Sequence, residues 1–92
     1  MSITVIKIKS IKAVSSSNEK FTVCSIPLME DSYDNVESIA KSICVSLNLM
    51  DCKKVDISML TSNGTYMVEM NFNTASNQTR NWNVVEESLQ TL

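Results

Sequence analysis

Histidine is absent from this chain, glycine and proline occur once each, and the aromatic residues are one tryptophan, two tyrosines and two phenylalanines. Without histidine the commonest general base near neutral pH and the commonest nitrogen ligand of zinc are both missing. The single glycine, Gly64, excludes a glycine-rich phosphate loop. Three cysteines, Cys24, Cys44 and Cys52, form no CxxC pair and leave an odd count, so neither a disulfide framework nor a zinc cluster is expected. These absences predict a protein that is not an enzyme and carries no metal or cofactor. No apolar run approaches the ~20 residues of a membrane span, and lysines interrupt the opening MSITVIKIKS where a signal peptide would be continuously apolar. The expectation is a cytoplasmic chain with no membrane partner, in which the sequons at Asn63 and Asn77 mean only turn and loop.

Charge of one sign is also scarce: eight basic and ten acidic residues give a net charge of -2. A general polyanion binder would be more basic, and a DNA mimic far more acidic.

What the 92 residues do contain is 43% apolar side chains, enough for one modest core over residues 1–92. The firmest signal runs from Val55 to Phe72, where two alternating stretches flank Asn63-Gly64. That dipeptide predicts a two-residue hairpin turn, pairing Ser62 with Thr65, Met59 with Val68, Ile57 with Met70 and Val55 with Phe72. One face is then apolar. The other is polar except for Leu60 opposite Met67.

Upstream, residues 3–14 read as a strand whose apolar parity switches between Ile8 and Ile11, predicting a bulge near Ser10. A polar turn at residues 15–18 returns the chain into a second strand, roughly Lys20 to Leu28, which Pro27 confines to an edge or ends. A helix follows. Asp34 with Glu37 imitates a capping box, Val36, Ile39, Ala40, Ile43, Cys44 and Leu47 share one helical face, and Asn48 supplies the stop. Residues 73–80 read as a loop, and the offsets of Trp82, Val85, Leu89 and Leu92 predict a short terminal helix, with a strand that alternates Trp82, Val84 and Glu86 as the alternative. The fold class is thus α+β, in the order β-β-α-β-β-(α), with an antiparallel-rich sheet and one main helix on one face.

Candidate sites are few. Glu30, Asp31, Asp34 and Glu37 cluster, but acidic residues at a helix start complement its dipole and cap its N–H groups, and that reading is preferred over a cation site. Cys44 faces the core and Cys24 lies in a strand, so Cys52, ahead of Lys53-Lys54, is the candidate reactive thiol. Lys7, Lys9 and Lys12 are candidate phosphate contacts, although lysines on a strand ordinarily guard its edge against aggregation. Leu60 and Met67, with Ile26 and Leu28, are the candidate interface, since one helix covers only part of a sheet and the remaining face must be solvated or shared.

The reading that follows is a small non-catalytic protein that occupies a macromolecular surface and has a protein partner. In this class fall phage or mobile-element accessory proteins that inhibit a host enzyme or defence complex, as anti-CRISPR proteins do. The alternative is a weak RNA or single-stranded DNA binder using the lysine-bearing first strand; third comes a structural subunit of an assembly. A symmetric homodimer through the Leu60–Met67 face is also expected.

Overall fold

Among the described residues six elements succeed one another: β1 (Val5–Val14), β2 (Lys20–Thr22), α1 (Val36–Ser46), β3 (Lys54–Thr61), β4 (Gly64–Asn73) and β5 (Asn81–Leu89). The computed structural model describes residues 2–73 and 81–89, with side chains for residues 2–71. The strands form one sheet in the order β2-β1-β3-β4-β5, antiparallel at every junction. Because β2 and β3 are both antiparallel to β1, they are parallel to each other, and α1 makes the crossover between them. The architecture is α+β: an antiparallel sheet with one helix.

The helix begins one residue later than its capping-box pattern suggests. Asn35 is the N-cap, and its Oδ1 accepts the Ser38 N–H at 2.8 Å, while Asp34 stays exposed. At the far end Asn48 adopts φ 56°, a left-handed conformation that asparagine tolerates better than most residues. The Asn48 N–H then donates to the Val45 carbonyl at 3.3 Å and the Leu49 N–H to the Cys44 carbonyl at 2.9 Å, closing a Schellman motif with Leu49 buried behind it. Between these caps Val36, Ile39, Ala40, Ile43 and Cys44 are buried.

They meet a sheet face made of Ile11 and Ala13 from β1, Val55, Ile57 and Met59 from β3, and Val68 and Met70 from β4. Each fully buried aliphatic side chain contributes about 1.5–3 kcal/mol. The core expected from the sequence is therefore present, with Leu47 only partly buried against it. The Phe72 side chain lies outside the described residues.

Several expectations are corrected. In the hairpin, Thr61 pairs with Gly64, Met59 with Tyr66, Ile57 with Val68 and Val55 with Met70, a shift of two residues that leaves the described side chains on their expected faces. Thr61 is the cause. Its Oγ1 accepts the Asn63 N–H at 3.1 Å and donates to the Gly64 carbonyl at 2.9 Å, making Ser62 and Asn63 the central turn residues. Of the turn residues only Gly64 carries positive φ, at 120°, so the turn is not the two-residue left-handed type that Asn-Gly suggests.

In β1 there are two irregularities, between Val5 and Lys7 and between Ile8 and Ser10, rather than one. They let Val5, Ile8, Ile11 and Ala13 all pack on or against the core, and turn Ile6 out to 63% exposure. The second strand ends at Thr22 instead of Leu28, because the chain leaves the sheet after the Val23 N–H bonds the Ile11 carbonyl at 2.8 Å. Finally, residues 81–89 are strand β5 and not a helix. The open edge of β4 supplies backbone partners from Thr65 to Asn73, and Val84-Val85 favours extended chain, so pairing overrides the helical spacing. Residues 74–80, expected as loop, and 90–92 lie outside the described residues.

Two substitutions test this description. Ile43→Ala should cost about 2–5 kcal/mol, as for any fully buried large-to-small change. Gly64→Ala meets no atom within 4 Å of the added Cβ, so its cost should come from backbone conformation alone, roughly 1–2 kcal/mol. Urea titration reads both, and an unchanged midpoint for either would contradict the packing or the turn.

Candidate functional site

The sheet face turned away from α1 is polar at one end and apolar at the other. Lys54 sits between two carboxylates, with Nζ 3.0 Å from Glu69 Oε1 and 3.7 Å from Asp56 Oδ2, and the Asn71 amide donates to Glu69 Oε2 at 3.0 Å. The hydrogen bond to Glu69, with the Asp56 charge behind it, raises the Lys54 pKa. The Asn71 amide, then Lys54, lowers that of Glu69. These groups are about 40% exposed, so the network orders the surface more than it stabilises the fold.

Lys12 lies directly across from Asp56 in the ladder, which mixes the sign of charge on this face. Lys7 pairs with Leu60 on the same face, and Lys9 sits at a bulge. The three candidate phosphate contacts are all exposed, but they do not form one isolated basic row.

Leu60 and Met67 share this face as diagonal neighbours and not as a direct pair, since Leu60 pairs with Thr65 and Ser58 with Met67. Leu60 is half-buried and Met67 is 44% exposed. Ile26 and Leu28 belong elsewhere, to the irregular segment between Thr22 and α1, so the four expected interface residues divide between two places.

That segment is the more unusual surface. Ile26 is 91% exposed and Leu28 81%, yet Pro27 between them is buried. The Leu28 N–H donates to Ser46 Oγ at 2.7 Å, and the Glu30 N–H to the hydroxyl of the buried Tyr33 at 2.8 Å. Tyr33 is itself tied to Ile3 by two backbone bonds of 2.8 Å. The backbone is thus anchored in several places while two large aliphatic side chains stand in solvent. Beside them, Leu28, Met29 and Val45 border a shallow depression of about 410 Å³ whose rim carries Glu30 and Lys41.

The thiols exchange roles relative to expectation. Cys52 is buried, because the Leu49 carbonyl accepts its N–H at 3.1 Å and draws the loop under the helix end. Cys24, expected in a covered strand, is exposed once β2 stops short. Burial, and then the neighbouring Cys52, pushes the Cys44 thiol up to about 12. Among the described residues no three His, Cys, Asp or Glu side chains gather where a metal ion could be held. No described helix is long and apolar enough to cross a membrane. Asn35 occupies the cap while Glu37 pairs with Lys41 at 3.7 Å.

The exposed patch had a partial signal in the sequence, because Ile26 and Leu28 share a parity on either side of Pro27. Val45 had none, since it lies off the apolar helical face. No family model, curated protein or solved structure matches the chain.

Maleimide labelling should therefore modify Cys24 before Cys44 or Cys52, and faster reaction at Cys52 would contradict its burial. A thiol held protonated in the fold but ionising near its ordinary value when unfolded stabilises the protein fully below that value. The contribution fades as pH rises from there towards about 12. Stability should fall above pH ~8.5 by up to about 1.4 kcal/mol per pH unit. Cys44→Ala should flatten that alkaline limb in denaturant titrations.

Proposed function

We propose that the protein works without catalysis, by seating an anchored apolar patch on the surface of a protein partner. One observation carries this reading: Ile26 and Leu28 are held outward by a backbone fixed at Pro27, Ser46 and Tyr33. A loose loop would fold such side chains down onto the protein, whereas here the connection keeps them in water. Burying two aliphatic side chains is worth about 1.5–3 kcal/mol each. That suits them as central anchors, with Met29 and Val45 extending the apolar area and Glu30 and Lys41 at its rim. An interface of standard size needs about 800 Å² from each partner, so the patch is its centre and not its whole.

The finer reading is inhibition by occupancy in the cytoplasm, as small accessory proteins of phages or mobile elements block a host enzyme or defence complex. A surface already organised in the unbound protein loses little conformational freedom on docking, which favours a tight blocker. Nucleic-acid binding is supported less, since Lys54 is engaged by Glu69 and Lys12 faces Asp56.

The combined change Ile26→Asp and Leu28→Asp tests the proposal. Both side chains are exposed, so stability should stay within about 0.5 kcal/mol of the parent. Crosslinking and affinity capture should yield one stoichiometric partner with the parent and with Met67→Asp, and none with the double variant. If the double variant retains the partner, the patch is not the interface. Salt-sensitive co-purification of nucleic acid in its place would favour the lysine-bearing strand.

A further inference from the structure

The edge of β1 away from β3 is covered at its two ends and open between them. At one end β2 pairs with Lys12, Ala13 and Val14, and the Val23 N–H reaches the Ile11 carbonyl. At the other, Tyr33 bridges Ile3. Among the described residues no strand pairs the stretch from Val5 to Ser10 on that side, because the chain from residue 24 to residue 32 swings outward. What remains is a groove of about 400 Å³ with β1 as one wall and Val23–Pro27, joined by Met29, as the other. Half of a strand's backbone N–H and C=O groups point to each side, so an uncovered edge presents donors and acceptors that a further strand can satisfy.

We infer that this groove accepts a short, extended, acidic segment of a partner protein, which adds as a strand along β1. The inference rests on the surface-occupancy reading and names the chemistry of its partner. Three features select the occupant. The closures at Ile11 and Ile3 leave six strand residues, about 20 Å, between them, enough for a short segment. The nine-residue edge strand β5 of a second copy does not fit between the closures without displacing one. The lining includes Lys7 and Lys9 and no carboxylate, so an anionic segment is drawn in and a cationic one repelled. Ile6, Ile8 and Ile26 line the same groove and offer apolar contact to alternate side chains of an extended chain. Both register irregularities of β1 fall within this stretch and twist it, which guards it against the flat edges that drive aggregation.

The probe is a capped hexapeptide alternating valine and glutamate. It is compared with its valine–lysine counterpart and with a version N-methylated at every residue, which has no N–H left to donate to a ladder on either edge. Fluorescence anisotropy should show the acidic peptide binding at least ten-fold more tightly than the lysine peptide, with the difference shrinking in high salt, and the methylated peptide should not bind. Hydrogen exchange should slow at backbone amides between Val5 and Ser10. Lys7→Glu with Lys9→Glu should reverse the charge preference, and the peptide series on the parent protein stands even if that variant fails to fold. Equal binding of all three peptides, or no protection of the edge at millimolar peptide, overturns the inference. Loss of a captured partner on changing Ile26 and Leu28, without any response to the acidic peptide, would remove strand addition and leave the patch. Edge protection with no partner captured would do the reverse.

Discussion

The strict alternation of β3 is the constraint on which the rest of the structure depends. Val55, Ile57, Met59 and Thr61 are buried, while Lys54, Asp56, Ser58 and Leu60 are half-buried on the opposite face. Both edges of this strand are hydrogen-bonded, to β1 and to β4, and each neighbour must match its parity or place polar groups against Ile39 and Ile43. The regular β4 does so at once. The neighbour β1 does so only by inserting two extra residues, which is why an exposed Ile6 sits in a strand whose Val5, Ile8, Ile11 and Ala13 pack on or against the core. The irregular edge of β1, and with it the groove, is thus a consequence of fitting this sequence against a strict central strand.

The apolar face of the hairpin was legible in the sequence, because alternation specifies which face each residue takes whatever the register. The register itself was not, since it depended on the hydroxyl of Thr61 capturing the Asn63 N–H, a local bond that the Asn-Gly pair conceals. The helix and its end at Asn48 were legible from periodicity and a residue tolerant of positive φ. Strand β5 was legible only as the alternative, because Trp82, Val85 and Leu89 also fit a helical spacing and only the vacant edge of β4 decides between them. Sequence pattern reports local preference, and an available backbone partner can outweigh it.

Of the candidate site, Ile26 and Leu28 were visible as residues needing cover, but their place was not. They were expected beside Leu60 and Met67 on a common sheet surface. Instead Pro27 turns inward, the chain departs from the sheet, and the two pairs lie apart. The groove had no sequence signature, because its limits are set by where β2 ends and by the pairing of Tyr33 with Ile3. Cys52 shows the same limit in miniature. Two following lysines suggest an electropositive exposed thiol, yet the helix cap folds the loop inward and buries it.

The sheet order also separates the chain in time. β3 and β4 join across Ser62 and Asn63, whereas β1, which leaves the ribosome before β3, pairs with β3 residues that follow only after the whole of β2 and α1. Loop-closure entropy grows by about 0.6 kcal/mol per doubling of the loop, so the hairpin closes cheaply and β1 docks across a long connection. Until then the edge of β1 that meets β3 has no partner. Lys7, Lys9 and Lys12, spaced through its isoleucines, keep that waiting segment hydrated and averse to pairing with its own copies.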